Sequence, residues 1–303
     1  MKKTIKNFLN QLPYIKGLYQ DKVKYTSNSC YPPGHYYSPI CDIAEIKEKE
    51  SAIWHSINVD GIKGIDLNVN EQIRLVEKEF VKFYKELPFE GVRMNGLRYG
   101  FENEMYSYTD GIFLYSMMRH FKPKRIIEVG SGHSSALMLD VNQIFFENKI
   151  ELTFIEPYPE RLYNTIREED KRTTNIIVKN VQEVKTSLFE TLEKGDILFI
   201  DSTHVSKCGS DVNFLLFDVL PILQKGVLIH FHDIFYPFEY PKGWVYQGRN
   251  WNENYILRAF LMHNKEYTIK LFSHYLHKHH TTIFKQMPLT YHNFGGCIWL
   301  EKS

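Results

Sequence analysis

The chain has 303 residues, enough for one large domain or for a domain with a sizeable appendage. Its 43% hydrophobic and 24% charged residues are ordinary for a globular protein and exclude a disordered tail, a collagen-like repeat and a coiled coil. With 37 basic and 36 acidic side chains the net charge is +1, so the whole-molecule field that gathers nucleic acid is absent.

The start, MKKTIKNFLNQLPYIKGLY, carries lysines but no continuous apolar stretch, so it does not read as a signal peptide. No segment approaches the roughly 20 apolar residues that span a bilayer. Ile5, Phe8, Leu9, Leu12 and Ile15 fall near helical spacing and predict a short helix that Pro13 interrupts. Docking on its own domain is the expected use of that face; weak peripheral membrane contact is the other. Residues 1–70 otherwise read as irregular, with turns at Tyr31-Pro32-Pro33-Gly34 and Asp60-Gly61. Ile73, Val76, Phe80, Phe83 and Leu87 recur every three or four residues and predict an amphipathic helix. Asp110 is expected to cap a second helix that runs to Phe121 and stops at Pro123. Residues 1–122 are therefore expected to form an N-terminal helical and irregular appendage and lid, and residues 123–303 the main domain.

A regular alternation follows. Short Val/Ile/Leu/Phe strands are predicted at 125–129, 151–155, 175–178, 196–200 and 226–231. Helices are predicted near 134–146, 160–167, 186–192 and 210–220, then one over 253–262 and closing strands at 267–272 and 296–300. Near-continuous apolar strands separated by helices mean a mostly parallel sheet covered on both faces, a doubly wound α/β fold. Cys30, Cys41, Cys208 and Cys297 form no CxxC pair and no zinc spacing, and are expected as free thiols in a reducing cytoplasm. His274, His277, His279 and His280 lack nearby acids and are expected on an exposed loop or strand face.

A ligand of an open parallel sheet sits beyond the carboxyl ends of its strands. Four strand ends of this chain are polar: Glu128-Val-Gly130-Ser131-Gly132-His133-Ser134, Glu156-Pro157, Asp201-Ser-Thr-His204 and His232-Asp233. Gathering these acids and histidines at one edge is economical only if they share a site, because unpaired buried carboxylates are costly. The Gly-Ser-Gly turn lets a ligand approach the backbone at a helix N-terminus. It is not a full G-x-G-x-x-G, since Ser135 stands at the third glycine position. Glu156 follows Glu128 by 28 residues, where a carboxylate accepts both ribose hydroxyls.

Ile127-Glu-Val-Gly-Ser-Gly132 with Phe154-Ile-Glu-Pro157 resembles the first two cofactor motifs of class I S-adenosylmethionine-dependent methyltransferases. Asp196–His204, Gly209–Asn213, Gly226–Phe235 and the upstream Pro33–Pro39 resemble a bacterial branch related to small-molecule and sugar O-methyltransferases. The resemblance implies a Rossmann-like methyltransferase sheet, S-adenosylmethionine as cofactor, and a small hydroxylated, sugar-like acceptor. It places Glu128, Gly130 and Gly132 at the methionine end, Glu156 on the ribose and Gln182 beside the adenine, with Ser131, Ser134 and Asp201 as further cofactor contacts.

Methyl transfer to oxygen needs a group that takes or shares the hydroxyl proton. His204 and His232 are the candidate bases, with Asp201 or Asp233 to orient one of them. Metal assistance is the alternative: Asp201, His232 and Asp233 would hold Mg²⁺ or Mn²⁺, although a histidine stands before Asp233 where relatives carry an acid. His35, Arg98, Tyr99, Trp244 and Trp251 are the candidate acceptor contacts. Two competing functions remain open at this point, a nicotinamide-dependent oxidoreductase and a non-catalytic cofactor-binding assembly partner. A homo-oligomer is also left open.

Overall fold

The computed structural model describes residues 12–303. The apolar positions Ile5, Phe8 and Leu9 lie outside them. The chain divides into two compact units, residues 12–53 with 242–250, and residues 54–241 with 251–303.

In the smaller unit the first described helix spans Pro13–Asn28. Pro13 stands at its first turn, where a missing N–H costs nothing. None of its residues is buried. Asp42 caps the next helix, Ile43–Glu48, by accepting from the Ala44 and Glu45 N–H groups. Glu50 accepts from Tyr246 Oη at 2.6 Å and pairs with Lys242, joining the 242–250 segment to this unit.

The larger unit holds a seven-stranded sheet in the order β3-β2-β1-β4-β5-β7-β6. Its strands are β1 (Arg125–Val129), β2 (Glu151–Ile155), β3 (Asn175–Ile177), β4 (Ile197–Ile200), β5 (Leu228–His232), β6 (Tyr267–Phe272) and β7 (Cys297–Lys302). β3 through β5 in that order are parallel, and β7 runs antiparallel between β5 and β6. All four residues of β4 and all five of β5 are buried, which is why their sequences do not alternate.

The division expected at residue 122 falls elsewhere. Residues 54–122 belong with the sheet, because the helix Tyr108–Phe121 is buried from Thr109 to Met118. Ser107 stands at its N-cap. Asp110 is not the cap: it is buried and accepts the Gly296 N–H at 3.0 Å. The predicted helix at 71–87 is Val69–Leu75 continued through a π turn, Val76–Phe80, into Val81–Tyr84. The histidine run forms a helix, Ser273–His279, and His277 is buried between the rings of Phe284 and Phe294. No helix among the described residues is long and apolar enough to cross a membrane.

Candidate active site

A cavity of about 500 Å³ opens at the carboxyl edge of the parallel strands. The chain runs outward from β1 to β2 and β3, then returns to β4 on the other side of β1, so this edge is the switch point of a doubly wound sheet. Gly130, Ser131, Gly132, Ser134, Glu156, Gln182, Asp201, His204, His232, Asp233 and Trp251 all line the cavity.

The turn after β1 is shaped by a close approach. Gly130 has φ +82°, and a Cβ there would stand 1.8 Å from the Asp201 carbonyl oxygen. Only glycine lets the β1 turn press against the chain leaving β4. Gly132 N–H donates to Ser135 Oγ at 2.9 Å, and the helix His133–Phe145 begins there.

Glu128 does not line the cavity, contrary to its expected place at the methionine end. It is wholly buried and accepts from Ser134 Oγ at 2.6 Å and from Ser135 Oγ. The carboxylate thus ties the helix start to the strand beneath the turn. Burial pushes its carboxyl up to about 7, with the serine hydroxyls pulling the other way. An unfolded glutamate titrates near 4.5, so folding takes up a proton between these two values. The resulting stabilisation is complete below the lower value and is lost as pH rises through the upper one, by about 3 kcal/mol at most. Glu128→Gln keeps the shape without the titration. Its melting temperature relative to the parent should therefore climb from about pH 5 to about pH 8; a constant difference would show that Glu128 is ionised throughout.

Glu156 accepts the Ser131 N–H at 3.1 Å and the Tyr158 N–H at 2.8 Å, one on each oxygen. Each oxygen keeps a free lone pair. Gln182 Nε2 donates to the Gly209 carbonyl at 2.9 Å, bridging the loops after β3 and β4.

On the β4–β5 side three acids surround one imidazole. His204 Nδ1 lies 2.8 Å from Glu253 Oε2, and Nε2 lies 3.4 Å from Asp201 and 3.6 Å from Asp233. Burial works against the charged ring, but the carboxylates outweigh it and raise its pKa well above the ordinary histidine value. Trp251 packs against the ring at 4.5 Å. His204 (φ +60°) and Asp233 (φ +55°) both hold the left-handed backbone region, uncommon for such residues and frequent at functional sites. Asp201 is held below the usual carboxylate range, because His232, His204 and Arg161 outweigh its burial.

One ligand atom each from Asp201, His204 and Asp233 lies within 4.8 Å of the others. This cluster holds His204 where the expected metal set had His232. His232 Nε2 lies 3.6 Å from Asp233, and its ring is covered by Tyr106 at 5.1 Å.

Other expected residues fall outside the cavity. Arg98 is buried in a bidentate pair with Asp170 and bonds to Asp140 and Gln143, and Tyr99 donates to the Tyr106 carbonyl. His35 and Trp244 belong to the smaller unit, where His35 stacks on Tyr31 and Tyr36, and Arg249 lies over Trp244. Glu253 and Tyr106 escaped the sequence reading. Glu253 looked like a first-turn helix acid, and the sole hint was its place two residues after Trp251.

A family model described as a methyltransferase domain matches residues 127–234. A protein of Archaeoglobus fulgidus, itself uncharacterized, is 37% identical over 172 residues, which is 55% of this chain and 76% of that protein. Among solved structures, the SAH-bound Podospora anserina methyltransferase PaMTH1 is 17% identical and aligns with a TM-score of 0.44 over 91% of this chain and 99% of its own. The O-methyltransferase TomG of Streptomyces achromogenes, in complex with SAM, is 11% identical with a TM-score of 0.40 over 84% and 96%. The chain belongs to this methyltransferase family. It is a methyltransferase that uses S-adenosylmethionine, and the oxidoreductase alternative falls away.

Proposed function

We propose that this methyltransferase methylates a hydroxyl oxygen of a small, sugar-like acceptor seated against Trp251, and that His204 handles the hydroxyl proton. The residues fit the cofactor. Gly130 lets the β1 turn lie against the chain leaving β4 at the cavity wall, Glu156 offers two oxygens to the ribose hydroxyls, and Gln182 borders the adenine side. When bound, the cofactor supplies an electrophilic methyl group on a positively charged sulfur. Glu156→Ala should weaken S-adenosylhomocysteine binding by about 1–3 kcal/mol, read by calorimetry; an unchanged affinity means that Glu156 does not touch the ribose.

The observation that carries the proton role is the hold on His204. Glu253 grips Nδ1 at 2.8 Å and leaves Nε2 at the cavity wall beside Asp201 and Asp233. A carboxylate on one ring nitrogen fixes the orientation of the other, as a base requires. A positive charge in the cavity weakens the hold of Asp201 and Asp233 on the His204 proton and so favours the basic form. The test is transfer of labelled methyl to a panel of sugars and small phenols, with the linkage read by NMR; methylation at nitrogen or carbon instead of oxygen would overturn the proposal.

A divalent ion is the second reading, favoured by the clustering of Asp201, His204 and Asp233. Glu253 on Nδ1 is the outer carboxylate that a metal-binding imidazole commonly carries. Such an ion would polarise an acceptor oxygen. Full turnover in EDTA would remove it, and loss restored by Mg²⁺ or Mn²⁺ would support it. A cytoplasmic setting belongs to the proposal and is supported by four unpaired cysteines.

A further inference from the structure

Tyr106 precedes the helix Tyr108–Phe121, outside the residues that match the methyltransferase model, and no motif singles it out. Its side chain is buried, packed against Phe199 of β4 at 5.8 Å and His232 of β5 at 5.1 Å. Its backbone is held from both sides. The N–H donates to Asn103 Oδ1 at 2.7 Å, and the carbonyl accepts from Tyr99 Oη at 2.6 Å and Asn103 Nδ2 at 3.0 Å. Yet the Tyr106 hydroxyl has no hydrogen-bond partner among the described residues, and the residue lines the cavity. A buried hydroxyl left unmatched is costly, and phenylalanine would fill the same space without that penalty. Such an orphan calls for a ligand atom.

Strand order says which atom. Glu156 follows β2, and Asn180 and Gln182 follow β3, so the groups suited to adenosine lie on one side of Gly130. Tyr106 packs over β4 and β5 on the other side. A cofactor with its ribose on Glu156 reaches there with its amino-acid end. We propose that the Tyr106 hydroxyl hydrogen-bonds that amino-acid end. The phenol oxygen can accept an N–H of the α-ammonium, and its O–H can donate to the α-carboxylate. The assignment rests on Glu156 as the ribose contact and needs no knowledge of the acceptor.

The test is calorimetry of Tyr106→Phe with two ligands: S-adenosylhomocysteine, and methylthioadenosine, which keeps adenosine and sulfur but lacks the amino-acid end. The variant should bind S-adenosylhomocysteine about tenfold more weakly, equivalent to about 1.4 kcal/mol, and methylthioadenosine unchanged. The ligand-free variant should melt no lower than the parent, because the orphaned hydroxyl is gone. Unaltered S-adenosylhomocysteine binding, or equal losses for both ligands, would overturn the proposal. Glu156→Ala separates the two assignments, since loss of a ribose contact weakens both ligands together. If that variant spares both while Tyr106→Phe affects only S-adenosylhomocysteine, the ribose contact fails and the Tyr106 contact stands.

Discussion

Replacing His204 should lower kcat by about 10²–10⁴-fold, the range for a positioned acid–base group, with S-adenosylhomocysteine affinity nearly unchanged. The choice of replacement matters. Glu253 is wholly buried with its Oε2 on His204 and its Oε1 unpartnered among the described residues. Alanine would strand that carboxylate and cost about 3–5 kcal/mol of stability. His204→Asn is the sharper variant, because an amide nitrogen can still serve Glu253 but cannot accept a proton at neutral pH. A folded His204→Asn protein that binds cofactor and turns over at the parent rate would show that the imidazole is structural. His232→Ala is the companion measurement. It should affect kcat less, since the His232 ring lies under Tyr106 and has no partner like Glu253.

Gly130→Ala should abolish measurable S-adenosylhomocysteine binding and destabilise the protein, while Gly132→Ala should do neither to a comparable degree. The contrast follows from two local facts. At Gly130 the backbone has φ +82°, and the added Cβ would meet the Asp201 carbonyl at 1.8 Å, a rigid atom at an impossible distance. At Gly132 φ lies outside the left-handed region, and the added Cβ meets only the Arg161 side chain, with Cδ at 3.2 Å, which is flexible and can move. Alanine at a left-handed position is destabilising even without a clash. Thermal melts and calorimetry on the pair decide the matter: equal binding by the two variants would mean that the tight seam between β1 and β4 is dispensable.

What the sequence made legible was local. β1 and β2 appear at 125–129 and 151–155 as read, because strands covered on both faces announce themselves as apolar runs. The Gly130 turn and Glu156 were legible for the same reason: each follows directly from a strand end. What escaped depends on partners far along the chain. Asp110 had the spacing of a helix cap, but it accepts an N–H from Gly296, 186 residues away. Arg98 reads as a candidate acceptor contact ahead of the first strand, but Asp140 and Asp170 take it into the interior. Glu253 reaches His204 across 49 residues. His277 reads as polar, yet it is flanked by two phenylalanine rings, a placement that no periodicity foretells. The border near Pro123 failed because a proline that stops a helix says nothing of where that helix is buried.

The left-handed backbone at Asp233 sets thermal endurance against turnover at one position. Glycine would relax it, as it does wherever a side chain is forced into that conformation. The relaxed protein would also lose the carboxylate beside the proposed base. A search for hardier variants that scores melting alone should therefore drift toward glycine at Asp233 but not at His204, whose loss would strand Glu253, and its winners should be poorer enzymes.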